Sequence, residues 1–293
     1  MVVVVDACRL PEHAGRCRAA GESANRGWVG GSVSWRFVNA AVRGTSHERG
    51  DVSCQDDCFV DVVREGNASV LVAIVSDGAG SAACAEEGSG LACETLFREV
   101  AAWLHGGAAI DALTRDVVES WMVSLREAIE DRAAQKQLTS REFVCTLAVA
   151  VVGTTSAAFI QLGDGAIVTG AAGAYEVVFW PDGGEYANMT YFITDADWQA
   201  HLQLVVCATF FDEIALMTDG LQRLALRFDS RAAHGPFFAP MFDALRESAN
   251  GTASDLEASL VAFLSSDAVN ERTDDDKSLV LASRRAGGTR GAV

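Results

Sequence analysis

The sequence has no apolar run long enough to cross a bilayer, since no uninterrupted stretch reaches about 18 apolar residues. Residues 1–6 contain only four successive valines and lack a basic leading region, which argues against a secretory signal. We therefore expect a cytoplasmic protein that has no contact with a membrane.

Paired cysteines are also missing. The eight cysteines are scattered along the chain without the close pairs of a zinc site, and they do not resemble the framework of a small disulfide-rich domain. Most of them are expected to be reduced and buried.

Basic residues are scarce, with 23 lysines and arginines against 40 acidic residues and a formal net charge of −17. This balance disfavours nonspecific binding to nucleic acid or to anionic lipid, and it suits a cation site. A hydrophobic content of 49% in 293 residues is enough for a substantial core.

The chain divides into three parts. Residues 1–31 mix Arg, Gly, Ala and Glu without periodicity and predict a weakly ordered leader. Residues 32–286 carry the periodic segments of one folded domain, and residues 287–293 predict a loose tail.

Within the domain, the hydrophobic pattern predicts strands and helices in grouped order. Strands are predicted at 32–42, 58–63, 70–76, 144–152, 157–162, 175–180, 213–218 and 278–282. Helices are predicted around 91–104, 113–129, 238–245 and 256–264. This order lacks the strict alternation of a doubly wound parallel sheet, so the fold class is α+β, with stacked, largely antiparallel sheets covered by helices.

Four aspartates stand at the ends or mouths of strand-like runs, and several are followed by glycine. They are Asp77, Asp164, Asp219 and Asp275. A carboxylate there lies on rigid backbone at the rim of a sheet, and clustered hard oxygen ligands favour Mg²⁺ or Mn²⁺. The Gly78 carbonyl could join the ligands. Any one Asp-Gly pair alone would more simply be a turn former or a helix cap.

Two cations sharing a water would supply hydroxide near neutral pH for in-line attack on phosphorus. Asp56, just before the second strand, could contact the metals through water, and its neighbour Asp57 is expected to be exposed. Arg43, His47 and Arg49 lie in the preceding loop, where a cation or imidazole could hold a phosphate oxygen or protonate a leaving group. Each could equally be a solvated loop residue.

Two other motifs compete with this interpretation. Residues 78–83 fit the G-x-G-x-x-A turn of dinucleotide-binding proteins, but Asp77 would stand beside the pyrophosphate and the order of elements is wrong. Cys58 and Arg64 have the C-x5-R spacing of cysteine-dependent phosphatases, but the residues between them predict a strand and not a phosphate-binding loop.

Six short segments in order resemble the metal-dependent serine/threonine protein phosphatases of type 2C, in their compact bacterial branch. The segments are Gln55-Asp56-Asp57, residues 76–82, Cys145-Thr146-Leu147, residues 162–165, residues 217–220 and residues 275–278. The resemblance runs from about residue 32 to residue 282.

The resemblance implies a four-layer α/β/β/α sandwich with a two-metal centre at one end. Asp77 would bridge both metals, the Gly78 carbonyl would hold one, and Asp219 and Asp275 would hold the other. Asp164 resembles the ligand of a third, weaker metal, which Asp219 would also bind. Asp56 resembles the carboxylate that orients the metal waters. The cofactors implied are two Mn²⁺ or Mg²⁺ ions.

The sequence departs from the family pattern in three places. Ala79 stands where many eukaryotic members have a histidine proposed as general acid, and His47 or a water is expected to replace it. Gln55 stands where many relatives have glutamate. The phosphate-binding arginine has no clear counterpart, and Arg43 is the candidate.

The implied function is hydrolysis of phosphoserine and phosphothreonine in a protein substrate by a monomeric enzyme that opposes a kinase. Two alternatives remain open: a regulatory module of the same fold with weak catalysis, and a hydrolase of small phosphorylated metabolites. Residues 180–198 resemble a flap over the site of the bacterial branch, where an ordinary surface excursion is the simpler interpretation.

Overall fold

The computed structural model describes residues 33–65, 68–181, 190–209 and 211–286. The predicted leader and tail lie outside these ranges, as does the centre of the predicted flap, residues 182–189. Of the helices within the described ranges, none combines the length and the apolar run that a bilayer span requires.

The secondary structure follows the grouped order predicted from the sequence. The strands are β1 (Val33–Val42), β2 (Asp56–Glu65), β3 (Ala68–Asp77), β4 (Leu147–Val152), β5 (Ser156–Leu162), β6 (Ala166–Ala171), β7 (Ala174–Val177), β8 (Gln203–Ala208), β9 (Glu213–Met217), β10 (Leu226–Arg227), β11 (Ala232–Ala233), β12 (Gly251–Thr252) and β13 (Lys277–Ala286). The α-helices are α1 (Thr45–Gly50), α2 (Ala85–His105), α3 (Arg115–Lys136), α4 (Trp198–His201), α5 (Gln222–Ala225), α6 (Gly235–Glu247), α7 (Ser254–Leu264) and α8 (Asp267–Asn270).

The strands form two large sheets and one small ribbon. The first sheet has the order β2-β3-β4-β5-β8, and all its neighbours are antiparallel. The second sheet has the order β12-β1-β13-β9-β6-β7, in which the short β1–β12 pair is parallel and the others are antiparallel. Strands β10 and β11 form a separate antiparallel ribbon.

Three apolar cores hold four layers together. Helices α2 and α3 pack on the first sheet through side chains such as Leu96 and Trp121. The two sheets pack on each other through Phe37, Leu71 and Phe159, among others. Helices α6 and α7 cover the second sheet with a core that includes Phe238, Phe242 and Leu260. The predicted α/β/β/α sandwich is confirmed.

The hydrophobic pattern did not predict β6 and β8, nor the two-residue strands β10, β11 and β12. The sequence of β6 is AIVTGA, in which small residues give little β signal, and β6 is a strand because it pairs with β9 and β7. Strand β8 completes the edge of the first sheet beside β5. The strand predicted at 175–180 ends at Val177.

Candidate metal centre

Two of the predicted aspartates lie side by side at one end of the first sheet. Strand β2 begins at Asp56 and β3 ends at Asp77, and the two residues are direct partners in the antiparallel register. The β2–β3 pairing therefore places both carboxylates at the same rim, where β3 continues into Gly78.

The second sheet brings its own acids to the same rim. Strand β9 ends at Met217, two residues before Asp219, and β13 begins two residues after Asp275. Met217 pairs with Leu279 of β13 and with Ala166 of β6, so Asp219, Asp275 and the β5–β6 turn at Asp164 all lie at this end.

The aspartates surround a small cavity between the two sheets. Single carboxylate oxygens of Asp77, Asp164 and Asp219 lie within 4.8 Å of one another. The cavity measures about 240 Å³ and is lined by His47, Asp77, Gly78, Ala79, Gly80, Asp164, Thr190, Phe192, Asp219, Asp275 and Asp276. His47 is the one basic side chain among the described residues that line it.

Burial and mutual repulsion make these carboxylates unusually weak acids. Burial, with repulsion from Asp56 and Asp219, raises the pKa of Asp77 well above its ordinary value. Burial and the charge of Asp164 raise the pKa of Asp219 to about 7. The pKa values of Asp164 and Asp275 are also raised, chiefly by burial. Such a group of acids is stable in its ionised form only with compensating positive charge.

The residues present fit a divalent cation. Asp164 illustrates this best, because Thr190 donates to its Oδ2 at 2.6 Å while its buried Oδ1 has no hydrogen-bond partner. A buried carboxylate oxygen without a hydrogen-bond partner, on a residue that lies beside two other aspartates, is a natural ligand for Mg²⁺ or Mn²⁺, which prefer oxygen donors.

Asp56, the register partner of Asp77, is not among the residues that line the cavity. Its side chain is buried, and Thr218 Oγ1 donates to its Oδ2 at 2.6 Å. Thr218 Oγ1 also accepts a hydrogen bond from the Ser278 backbone N–H, so one hydroxyl joins the two sheets. Burial raises the pKa of Asp56 to about 8.

Asp276 is a buried carboxylate at the site to which the sequence analysis assigned no role. Its Oδ1 accepts from the Gly44 N–H at 2.6 Å. Its Oδ2 accepts from the Gln55 N–H at 2.6 Å and lies 2.9 Å from His47 Nδ1. With Nδ1 held by Asp276, the other ring nitrogen of His47 is free to act in the cavity.

The remaining loop candidates lie elsewhere. Arg43 is exposed, is not among the residues lining the cavity, and donates to the Val52 carbonyl at 3.2 Å. Arg49 forms an exposed ion pair with Asp274. Asp57 was expected to be exposed, but it is half-buried because it faces α2, and burial raises its pKa.

Neither competing motif has the geometry it requires. Strand β3, which precedes Gly78, has antiparallel neighbours on both sides, whereas a dinucleotide-binding turn belongs to a parallel strand–helix–strand unit. Cys58 and Arg64 both lie on the extended strand β2, so the segment between them cannot wrap around a phosphate.

Comparison with known proteins decides the family. A family profile described as "Protein phosphatase 2C" matches residues 43–265. The chain belongs to the protein phosphatase 2C family. It is 37% identical over 252 residues to serine/threonine-protein phosphatase 3 of Escherichia coli (strain K12), an alignment that covers 85% of this chain and 98% of that one. The chain is thus a member of the metal-dependent serine/threonine phosphatases.

Solved structures support the fold of this type 2C phosphatase. The catalytic domain of the phosphatase PstP in complex with two manganese ions is similar with a TM-score of 0.56 and 13% identity, over 86% of this chain and 99% of that chain. The S. agalactiae serine/threonine phosphatase is similar with a TM-score of 0.55 and 16% identity, over 85% of this chain and 99% of that chain.

Proposed function

We propose that this chain removes phosphate from phosphoserine and phosphothreonine in proteins at the cavity between the two sheets. The convergence of Asp77, Asp164 and Asp219 carries the proposal, because their oxygens lie within 4.8 Å of one another at the shared rim. The cavity is large enough for a phosphate group and its metals but smaller than pockets that enclose a whole drug-sized ligand.

The proposal assigns the metal ligands to oxygen atoms of this chain. Asp77, at the end of β3, would bridge two Mn²⁺ or Mg²⁺ ions, and the Gly78 carbonyl would hold one of them. Asp219 and Asp275 would hold the other, and Asp164 with Asp219 would hold a third, weaker ion. Asp56, the register partner of Asp77, would orient the metal waters. When bound, such ions lower the pKa of a water for attack on phosphorus and neutralise the phosphate.

His47 is the proposed proton donor to the leaving oxygen. It lines the cavity near Ala79 and Gly80, and Asp276 holds its Nδ1. A hydrogen bond at Nδ1 fixes the ring orientation, so Nε2 is the nitrogen that can carry a proton to the alkoxide of serine or threonine. The role of Arg43 as a phosphate ligand stays a prediction, because its guanidinium would have to leave the Val52 carbonyl to bind a phosphate.

The test is hydrolysis of an aryl phosphate and of a phosphothreonine peptide with Mn²⁺, Mg²⁺ or a chelator. Asp77→Asn and Asp219→Asn should each lower metal-dependent turnover by about a hundredfold or more, because each removes an ionic ligand of the proposed centre. Asp111→Asn, an exposed acid, is the matched control and should leave turnover unchanged.

Turnover that survives Asp77→Asn and Asp219→Asn would contradict the proposal. A folded, metal-binding protein that hydrolyses neither compound would favour the regulatory module, for which Ala79 in place of the usual histidine is the supporting feature. Hydrolysis of the aryl phosphate and of small phosphorylated metabolites without the peptide would favour the metabolite hydrolase.

The same proposal includes the oligomeric state of the enzyme, its location in the cell and the kinase that it opposes. It predicts a monomer in the cytoplasm that opposes a serine/threonine kinase. Sedimentation velocity of the purified chain and cell fractionation test the first two points. Accumulation of phosphoserine and phosphothreonine in cells that lack the enzyme, reversed by removing the kinase, tests the third.

A further inference from the structure

The size of the cavity leaves most of a phosphoprotein outside it. A space of about 240 Å³ that also accommodates metal ions holds the phosphate, so the residues on either side of the phosphorylated one must lie on the rim. Recognition beyond the phosphate therefore depends on the exposed side chains around the mouth.

One part of this rim is formed by the end of β7 and the segment that follows Asp219. The Val178 N–H donates to the Ile167 carbonyl, so the chain continues beyond β7 toward the start of β6, which is the end of the sheet where Asp164 lies, and Trp180 follows two residues later. On the other side, the Gln222 side chain donates to the Asp164 carbonyl, and Arg223 follows it on the exposed surface.

The ribbon of β10 and β11 joins these two pieces. Phe228, in the turn of the ribbon, packs edge-on against Trp180 with ring centroids 5.3 Å apart, although 52% of Phe228 is exposed. The Arg231 guanidinium lies 5.9 Å from the centre of the Trp180 ring. We call the set Arg223, Arg227, Arg231, Phe228 and Trp180 the rim patch.

The charge of the rim patch is opposite to that of the protein. Arg223, Arg227 and Arg231 are all exposed, and no carboxylate of the described residues lies within ion-pair distance of them. Arg227 instead donates to His234 at 3.1 Å. The acid in the turn, Asp229, is engaged by the N–H and hydroxyl of Ser230. Three guanidinium groups that have no ion-pair partner in the described part of the chain form a local site for anions on a protein of net charge −17.

We propose that the rim patch binds acidic residues that flank the phosphorylated residue of a protein substrate. The proposal rests on the proposed phosphatase function. Arginine forks pair with carboxylates in two-point contacts, and the exposed ring of Phe228 offers an apolar surface for the peptide backbone or a neighbouring side chain. The patch thereby selects among phosphoproteins without taking part in hydrolysis.

The experiment compares two phosphothreonine peptides of equal length, one with Asp and Glu at the flanking positions and one with Lys at the same positions. The enzyme should prefer the acidic peptide by about tenfold in kcat/KM at low salt, as expected from a few exposed charge pairs. Arg223→Gln/Arg227→Gln/Arg231→Gln should abolish most of that preference through a higher KM, with kcat and aryl phosphate hydrolysis unchanged. High salt should reduce the preference of the unmodified enzyme.

A second triple variant controls for net charge. It replaces three exposed arginines outside the rim patch: Arg64→Gln, Arg98→Gln and Arg132→Gln. This variant should keep the preference for the acidic peptide. A preference lost equally in both triple variants would show a general charge effect and overturn the proposal.

Binding provides a readout that does not need turnover. Fluorescence anisotropy of a labelled peptide with the Asp77→Asn protein should show that the acidic peptide binds more tightly than the lysine peptide. Adding the three rim-patch substitutions should remove this difference. If the enzyme hydrolyses the aryl phosphate but treats both peptides alike, the rim patch is not a substrate site. If nothing is hydrolysed, the phosphatase function itself fails.

A sedimentation assay with phosphatidylserine vesicles tests a membrane as the alternative partner of the rim patch. The enzyme should not sediment with the vesicles. If it does, and the rim-patch variant does not, the patch binds a membrane instead.

Discussion

Asp276 shows how a single buried side chain can organise a site through hydrogen bonds to both of its carboxylate oxygens. It accepts hydrogen bonds from the backbone of Gly44 and Gln55 and holds His47 Nδ1, and it is almost inaccessible to solvent. Gly44 precedes α1 and Gln55 precedes β2. One carboxylate therefore positions the short helix α1, which carries His47, against the strand that begins with Asp56.

Asp276→Asn is expected to affect proton delivery more than metal binding. An amide cannot accept from all three donors, so the variant should lose about 1–3 kcal/mol of stability. Turnover of a phosphothreonine peptide, whose leaving group needs a proton, should fall by about tenfold or more, while a nitrophenyl phosphate, whose leaving group does not, should be hydrolysed nearly as before. Steady-state kinetics on both compounds check this.

If Asp276 acts through the imidazole, His47→Gln should also lower turnover of the phosphothreonine peptide much more than turnover of the nitrophenyl phosphate. Equal losses on both compounds, or an increased requirement for Mn²⁺ in Asp276→Asn, would instead assign Asp276 to the support of the metal centre through its neighbour Asp275.

At the scale of elements, the site depends on backbone segments that approach each other more closely than side chains would allow. A Cβ at Gly220, just after Asp219, would lie 1.9 Å from the Asp276 carbonyl oxygen. A Cβ at Gly44 would lie 2.3 Å from the Asp275 carbonyl carbon. Glycine is therefore required at both positions, where the ends of three elements meet around the acids.

Gly220→Ala is expected to separate Asp219 from Asp275 while leaving the rest of the fold in place. The added methyl group must displace backbone, so the requirement for Mn²⁺ should rise and turnover at fixed Mn²⁺ should fall by about tenfold or more. Titration of activity with Mn²⁺, together with circular dichroism, measures both effects. Gly90→Ala in α2, where the nearest atom is 3.8 Å away, is the matched control. An unchanged titration would contradict the role of this close approach.

The sequence predicts the elements that have strong periodicity and the acids that end them. Strands such as β3 and helices such as α2 and α3 were recognised because burial imposes a clear hydrophobic pattern on them. Strand β6 was missed because its small residues are held by pairing with β9. Asp276 was missed as a functional residue because its partners, Gly44, His47 and Gln55, are more than 200 positions away in the chain and meet it only in the folded protein.

At the scale of the whole molecule, the acidic centre makes the metal-free protein sensitive to pH. The fold raises the pKa of Asp56 from an ordinary 3.8 to about 8 and that of Asp219 to about 7, in both cases chiefly by burial. A raised pKa means that the folded state binds protons more tightly than the unfolded state. The stabilising effect is complete below pH 4 and is lost as the pH rises through the folded-state values.

The metal-free protein should therefore have a lower Tm at pH 8 than at pH 5.5, and Mn²⁺ should raise Tm more at pH 8, because ionised carboxylates bind the cation. Thermal unfolding in chelator and in Mn²⁺ across this range measures both. Asp219→Asn removes one of the titrating groups and should flatten the profile in chelator. A metal-free Tm that stays constant or rises between pH 5.5 and pH 8 would contradict the account.

The division of the acids between the two sheets has a mechanical consequence. Asp56 and Asp77 belong to the first sheet, whereas Asp219 and Asp275 belong to the second, and the layer of side chains between the sheets sets the distance between the two pairs. An ion held by Asp77 at the end of the first sheet and by Asp219 and Asp275 at the end of the second would tie the two sheets together. The affinity for the ion then depends on the spacing of the two sheets. A substitution of a core side chain between the sheets, such as Phe159, would therefore change metal binding at the rim.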